Sequence, residues 1–385
     1  MPSSPSGPAV VRREAPPDRR GTVAASTAGI TKSNIAEIPV VAPRSAPPTA
    51  ARPDPDPDAT AADGPYVSVV IPVYNDPAGI RATLDSLIEQ SAPTDRHELV
   101  VVDNGSTDDT RRVVREYCEA VDNLRLLVED EIQGSYAARN RGIEAAAGPV
   151  VAFVDADMVV GPTWVADVAR RMAETDAAYL ACDVTLFTEA EEGVVAEYNR
   201  RNDLHVERFI EELSFAPTCC LVARRELFEE LGGFDPRLRS GGDVEFGNRV
   251  AAAGHRLRYC PDIEMYHPTR TTLGSLLRKA RRVGRGKTQL RRNYPDRYGS
   301  PHLGALNPGQ FLPPRPSFLR RSVRSWSELP ARRKLVFFLL SYVTSLAKAY
   351  GQLLELAVPT DADTDAGATA VTPRGSRRAA AEENS

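Results

Sequence analysis

The stretch YVSVVIPV at residues 66–73 is a run of mainly β-branched residues that closes with a proline and a valine. Runs of this length and composition are typical of a strand that is buried on both faces. Residues 1–64, in contrast, are rich in Pro and Ala and show no apolar periodicity, so we predict a disordered tail there. The folded part of the chain is therefore expected to begin near Tyr66.

Further strand-like runs alternate with helical patterns after this first strand. Runs lie at 99–102, 124–128 and 150–154, and helical patterns lie at 77–91, 107–121 and 135–147. This order predicts an α/β fold with a mostly parallel, Rossmann-like sheet that binds ligands at the carboxyl ends of its strands.

The alternation weakens after Asp157, which predicts a mixed half. Helices are expected near 164–174, 189–213, 225–231 and 243–253, and strands near 178–186, 219–223 and 257–259. We divide the chain into a folded domain at 65–300, with halves at 65–160 and 161–300, an extension at 301–358 and a second disordered tail at 359–385.

Two carboxylates one residue apart, Asp155 and Asp157, end the predicted fourth strand in FVDAD at 153–157. Side chains at i and i+2 of a strand point the same way, and like charges repel unless a cation lies between them. Mg or Mn, held by carboxylate and phosphate oxygens, meets that demand. Ordinary loops also contain Asp-x-Asp, so the pattern alone leaves both interpretations open.

Polar residues also follow the first two predicted strands. Asp103 follows the second strand in VVVDNGSTD at 100–108, and Tyr74 and Asn75 follow the first. Asp103 would serve equally as a cap of the next turn or helix, and Tyr74 as a core residue. Three strands that end in polar residues at one sheet edge nevertheless favour a binding site.

Four segments in this order resemble the family 2 glycosyltransferases of the GT-A fold: VVIPVYN at 69–75, VDNGSTD at 102–108, ARNRGI at 138–143 and DAD at 155–157. The resemblance covers about residues 66–268. It implies an inverting enzyme that moves a sugar from a nucleoside diphosphate sugar to an acceptor hydroxyl, either on a lipid-linked or on a cell-surface glycan.

The resemblance also implies roles for individual residues. Tyr74, Asp103 and Arg139 would bind the nucleotide, and Asp155 and Asp157 would bind the Mn or Mg ion that bridges the diphosphate, with Asp157 the more direct ligand. His267, in YHP at 266–268, resembles a histidine that several members place near the metal. A lone histidine is also often structural.

The segment GGDVEFGNR at 241–249 resembles the acceptor side of the family, which implies that Asp243 deprotonates the acceptor hydroxyl. As an alternative, Asp243 would be a helix N-cap. Gly242 departs from the pattern, since many relatives carry another acid there. This departure favours one rival interpretation, a non-catalytic nucleotide-binding or glycan-binding protein of the same fold; a retaining transferase is another.

A basic stretch at 270–292 holds nine Lys or Arg and no acid, although the net charge of the chain is -4. It either contacts the diphosphate or an anionic lipid acceptor, or it is a solvated helix face. It lacks interleaved aromatics, so nucleic acid is not an expected partner. The segment QLRRN at 289–293 partly resembles the Gln-x-x-Arg-Trp of polymer-making relatives, but Asn293 replaces the tryptophan, which favours a non-processive enzyme.

An amphipathic helix is predicted at 335–358, directly after the basic residues 332–334. No apolar run reaches the roughly 18 residues of a membrane span. The pattern fits either a helix on an anionic cytoplasmic membrane surface or a helix docked on the core. Five scattered cysteines without C-x-x-C spacing argue against a zinc site and fit a reducing compartment. We therefore expect a cytoplasmic protein, peripheral to the inner face of the membrane.

Overall fold

The computed structural model describes residues 64–188, 193–202 and 204–358, and the predicted tails lie outside this part of the chain except for Gly64. The strands are β1 Val67–Val73, β2 His97–Asp103, β3 Leu124–Val128, β4 Val150–Phe153, β5 Val159–Val160, β6 Tyr179–Phe187, β7 Leu221–Arg224 and β8 Leu257–Pro268. The α-helices are α1 Pro77–Ile88, α2 Thr110–Ala120, α3 Ser135–Ala145, α4 Trp164–Glu174, α5 Val194–Asn202, α6 Val206–Leu213, α7 Arg225–Leu231, α8 Gly242–Ala252, α9 Leu273–Asn293, α10 Pro295–Tyr298, α11 Pro301–Ala305, α12 Pro316–Ser322 and α13 Ala331–Leu356. Short 3₁₀ turns lie at Thr218–Cys220, Pro308–Phe311 and Trp326–Glu328.

One sheet carries these strands in the order β3-β2-β1-β4-β7-β6-β8-β5. The pairs β2/β3, β1/β2 and β1/β4 are parallel, whereas β7 runs antiparallel to both β4 and β6. The predicted α/β fold with a parallel half and a mixed half is therefore confirmed. Every residue of β1 and β2 is buried, because helices cover both faces of a parallel sheet.

Two predicted elements differ from the observed ones. The single helix expected at 189–213 is two helices, α5 and α6, with the left-handed backbone of Leu204 (φ 51°) between them; residues 189–192 and 203 lie outside the described part. The strand expected at 257–259 runs on to Pro268, so His267 lies within β8 and not after it. Side chains alternate between buried and more exposed positions along this extension, as in a strand with one covered face: Ile263, Met265 and His267 are buried.

The C-terminal helix α13 packs along α9, and two glycines allow their backbones to touch. A Cβ atom at Gly351 would overlap the carbonyl oxygen of Arg281, and one at Gly284 would overlap that of Lys348. The buried carboxylate of Glu355 accepts hydrogen bonds from Arg285 Nε at 2.6 Å and Gln289 Nε2 at 2.9 Å. The helix is therefore docked on the folded domain.

A leucine at Gly351 is expected to destabilise the protein by about 1–3 kcal/mol, because its side chain would force the two helix backbones apart. Thermal unfolding measures the loss. Tyr350→Leu is the matched control, since Tyr350 is exposed and should shift the free energy of unfolding by no more than about 0.5 kcal/mol. Equal melting temperatures for Gly351→Leu and the wild type would contradict this close contact.

In the part of the chain that the structure describes, no helix is both long enough and apolar enough to cross a bilayer.

Candidate active site

A cavity of about 680 Å³ lies where the carboxyl ends of β1 and β4 meet the mixed half. Six of the seven side chains singled out from the sequence line it; they are Tyr74, Arg139, Asp155, Asp157, Asp243 and His267. The seventh, Asp103, lies behind this wall at the end of β2, opposite Val73 in the β1/β2 register. Residues as far apart in the chain as Tyr74 and His267 thus share one site, as two halves of one sheet allow.

Asp103 is fully buried and only partly satisfied. Its Oδ2 accepts hydrogen bonds from the backbone N–H of Ser106 at 3.1 Å and from Arg111 Nε. Its Oδ1 is buried and has no hydrogen-bond partner in the structure. A buried acceptor without a donor costs free energy, so a hydrogen bond from a bound ligand to this oxygen would be stabilising. Of the two alternatives from the sequence, Asp103 does cap the turn after β2, through the N–H of Ser106, but it is not a helix cap, since it lies seven residues before the first residue of α2.

Asn75 has a structural role that the sequence did not reveal. Its Oδ1 accepts a hydrogen bond from the N–H of Thr107 at 2.8 Å, and its own N–H donates to Ser106 Oγ at 2.9 Å. Its backbone is left-handed (φ 49°), a conformation that asparagine tolerates better than most residues. Asn75 therefore fastens the loop after β1 to the loop after β2 and fixes the position of Tyr74.

Arg139 is buried and pairs with one of the two strand-end carboxylates. Its Nη2 donates to Asp155 Oδ1, and its Nη1 donates to the carbonyl oxygen of Ser135 at 3.2 Å. Arg139 thus neutralises Asp155, whereas Asp157, with 41% of its side chain exposed, lines the same cavity beside His267. Enclosure in the cavity raises the pKa of Asp157, and the negative charges of Asp155 and Asp76 raise it further.

His267 presents one ring nitrogen to Asp157. Its Nδ1 lies 2.8 Å from the carbonyl oxygen of Pro268, and a carbonyl can only accept, so this nitrogen carries the hydrogen. The lone pair of Nε2 then points toward the cavity, 3.9 Å from Asp157 Oδ1. Two ligands of one Mg or Mn ion lie about 3–4 Å apart for bonds of about 2.1 Å, so this spacing fits a shared ion.

The protein offers few ligands beyond this pair. Within the described residues, no group of three or more His, Cys, Asp or Glu side chains is arranged to hold a metal ion. Any ion here would complete its coordination shell with water or with oxygens of a bound phosphate, which is the usual arrangement for Mg²⁺.

Asp243 also lines the cavity, from the first turn of α8. The residue at the N-cap position is Gly241, so the interpretation of Asp243 as the N-cap is wrong. Its Oδ1 accepts hydrogen bonds from the N–H of Val244 at 3.0 Å and from the hydroxyl of Tyr136 at 3.4 Å. Burial raises the pKa of Asp243, which makes it a stronger base than an ordinary carboxylate.

The ring of Tyr136 explains the glycine at position 242. A Cβ atom on Gly242 would lie 2.8 Å from two ring carbons of Tyr136, and the N–H of Gly242 donates to the tyrosine hydroxyl at 2.9 Å. Tyr136 therefore fills the space that a side chain at 242 would need, and its hydroxyl donates a hydrogen bond to Asp243. One indirect signal of Tyr136 was visible in the sequence, namely the unusual glycine at position 242.

The wall formed by α9 and α13 is basic. The cations that line the cavity on this side are Lys279, Arg282 and Lys287 of α9 and Lys348 of α13, together with Arg270 in the loop before α9. Burial against this wall lowers the pKa of Lys287, and the positive charges of Lys348 and Arg291 add to the effect. The carboxylates among the lining residues, Asp76, Asp155, Asp157 and Asp243, lie on the loops and helix around the sheet edge. The cavity thus has an acidic end and a basic wall.

Comparison with known proteins places this geometry in a family. Residues 68–232 match the model of glycosyl transferase family 2. The chain is 35% identical to glycosyltransferase AglE of Haloferax volcanii over 294 residues, which are 75% of this chain and 95% of AglE. It is also 28% identical to the pre-mycofactocin glycosyltransferase of Mycobacterium tuberculosis over 60% of this chain, and it spans about half, 48%, of that relative.

Solved structures also resemble the chain at low identity. One is mannosyltransferase PcManGT from Pyrobaculum calidifontis in complex with GDP-Man and Mn²⁺, at 22% identity and a TM-score of 0.47, covering 83% of this chain and 82% of that one. Another is S. aureus TarS 1-349 in complex with UDP-GlcNAc, at 22% identity and a TM-score of 0.45, covering 76% and 91%. The sequence match to AglE, which extends over nearly all of that enzyme, is the stronger relationship. The chain is therefore a member of the family 2 glycosyltransferases.

Proposed function

We propose that this glycosyltransferase inverts the anomeric centre in one displacement, with Asp243 as the base that takes the proton of the acceptor hydroxyl. The observation that carries the proposal is that Asp243, Asp157 and His267 line one and the same cavity. A base on one side and a site for the leaving diphosphate on the other are what a direct displacement needs. The raised pKa of Asp243 brings its basicity closer to neutral pH.

The donor is proposed to be a nucleoside diphosphate sugar that lies along the carboxyl edge of the sheet. Its base would stack on Tyr74 and donate a hydrogen bond to the unpartnered Oδ1 of Asp103. Asp157 and His267 would hold the Mn or Mg ion together with the diphosphate, and Arg139 would keep Asp155 in place beside them. When bound, the cation stabilises the negative charge that develops on the leaving diphosphate.

The acceptor is proposed to be an anionic glycan or lipid-linked glycan, because the remaining wall of the cavity carries five Lys or Arg side chains. A single addition is favoured over polymerisation. Gln289 and Arg292, which resemble part of a polymerase motif, do not line the cavity; instead both contact the buried Glu355 of α13. They therefore have a structural role here.

A titration with UDP-, GDP-, ADP- and dTDP-sugars, with and without Mn²⁺, tests the proposal. One nucleotide class should bind, and its affinity should rise when Mn²⁺ is present. With a model acceptor, NMR of the product should show an anomeric configuration opposite to that of the donor. Retained configuration would contradict the single displacement, and metal-dependent binding without any transfer or hydrolysis would favour the non-catalytic alternative.

Asp103→Ala should weaken binding of the preferred donor by about 10–100-fold, since hydrogen bonds to charged groups contribute about 1.5–3 kcal/mol. Arg111→Ala keeps the carboxylate and removes its partner, so it should weaken binding less. Calorimetry measures both dissociation constants. Asp109→Ala is the control, because Asp109 is exposed and pairs only with Arg112. Equal losses for Asp103→Ala and Arg111→Ala would mean that Asp103 acts only by holding its loop.

A further inference from the structure

Exposed apolar side chains are concentrated in one part of the described chain. Ten of the sixteen exposed large apolar residues lie within 301–358. They are Leu303, Leu306, Phe311, Leu312, Phe318, Leu335, Leu339, Val343, Tyr350 and Val358. A monomeric protein rarely exposes so many together without a partner.

Helix α13 turns an apolar face away from the protein. Leu335, Leu339 and Val343 follow each other at intervals of four residues and are 60%, 49% and 38% exposed. The opposite face, with Phe337 and Ser341, is buried in a small second core and against α9. A helix on the surface of a soluble protein would have the reverse arrangement, with polar residues outward.

The exposed apolar stripe is surrounded by positive charge. Residues 297–354 contain nine Lys or Arg and a single acid, Glu328. Arg315, Arg320, Arg321 and Arg332 are exposed around the stripe. A second copy of the same surface would bring these cations against each other, whereas an anionic bilayer would attract each of them by about 1 kcal/mol.

The same surface reaches the mouth of the cavity. Phe318, on α12, and Thr344 and Lys348, on α13, line the cavity itself. The hydroxyl of Tyr342 donates to the carbonyl oxygen of Phe311 at 3.0 Å, which fastens the 3₁₀ turn at Pro308–Phe311 to α13. Phe318 therefore belongs both to the exposed apolar residues and to the cavity lining, whereas Thr344 and Lys348 lie on the face of α13 opposite Leu335 and Leu339.

We propose that Leu335, Leu339, Val343 and the exposed apolar residues of 303–318 dock on an anionic lipid bilayer, with Phe318 bringing the edge of the cavity next to it. The apolar side chains enter the boundary between headgroups and acyl chains, and the surrounding arginines contact anionic headgroups. Docking itself does not depend on the proposed transfer reaction. The further consequence, that the acceptor is an amphiphile drawn from the bilayer, rests on the proposed function.

Flotation of the full chain with vesicles tests the docking. Binding should be strong to phosphatidylcholine vesicles that contain about a third phosphatidylglycerol, weak to pure phosphatidylcholine, and reduced by added salt. The triple variant Leu335→Gln, Leu339→Gln, Val343→Gln should lose at least tenfold in vesicle affinity. Its fold should survive, because the three side chains are exposed and glutamine favours helix.

A matched control replaces three equally exposed apolar residues elsewhere, Ile88, Val128 and Ile132, with glutamine, and its vesicle binding should stay unchanged. Asp243→Asn should float like the wild type, so a failure of the transfer proposal would leave this result intact. Three results would overturn the docking proposal: equal binding by the triple variant and the wild type, self-association that the triple variant removes without any vesicle binding, or vesicle binding that is lost when residues 359–385 are deleted.

Discussion

Asp243→Asn is expected to lower the transfer rate by about 10²–10⁴-fold, the range that a positioned general base contributes. Asparagine has nearly the same shape but cannot take a proton from the acceptor hydroxyl. Donor binding should be unchanged, since Asp243 lies on α8 and is not among the residues proposed to hold the base or the metal ion. Initial rates with saturating donor, together with calorimetric donor dissociation constants, separate the two effects.

The pH dependence of the wild type follows from the raised pKa of Asp243. Only the ionised carboxylate can act as a base, so kcat/KM should rise with pH up to the raised pKa and then level off. The rise should lie above pH 4, the ordinary range for aspartate, and it should be absent from the residual activity of Asp243→Asn.

The raised pKa of Asp243 also determines whether its charge stabilises or destabilises the folded protein. A carboxyl whose pKa is raised by folding favours the folded state below its unfolded pKa, and this contribution is lost as the pH rises through the folded pKa. At neutral pH the charge of Asp243 therefore costs stability. Asp243→Asn should melt at the same or a higher temperature than the wild type, so its inactivity would not reflect unfolding.

Tyr136→Phe is the companion variant, because it keeps the ring that fills the space beside Gly242 and removes only the hydroxyl. Loss of the hydroxyl removes the acceptor of the Gly242 N–H and one of the two donors to the carboxylate of Asp243, which keeps the N–H of Val244. The rate should fall less than in Asp243→Asn, and the pH at which activity rises should shift. Transfer by Asp243→Asn at a rate close to that of the wild type would overturn the assignment of the base.

Asp157→Ala is expected to weaken Mn²⁺-dependent donor binding by about 100-fold or more, since even outer partners of metal ligands contribute about 10–100-fold in metal affinity. Asp157 lines the cavity beside His267, whereas Asp155 is held by Arg139. Donor binding without Mn²⁺ should change little. Calorimetry with and without the metal measures this difference directly, and no turnover is needed.

His267→Ala should also weaken Mn²⁺-dependent donor binding, since the Nε2 atom of His267 faces Asp157. Asp167→Ala is the control, because this carboxylate lies on α4 and pairs there with Arg170. If Asp157→Ala bound the donor with the same Mn²⁺ dependence as the wild type, the proposed metal site would be wrong.

The sequence by itself determined the parallel half of the fold and the family. Buried strands, turn residues and helix starts are local patterns, so β1 to β4 and the helices between them were predicted to within a few residues. Asp155 and Asp157 were found in the same way, since the end of a strand is visible in the sequence. Their roles stay predictions.

Only the tertiary structure decided which side chains support these residues. Tyr136 meets Gly242 across 106 positions, and Gln289 meets Glu355 across 66. The sequence pattern of α13 predicts one apolar face, but the packing of α13 against α9 determines which apolar residues stay exposed. Contacts between residues far apart in the chain depend on how whole elements pack, and no pattern of neighbouring residues contains that information.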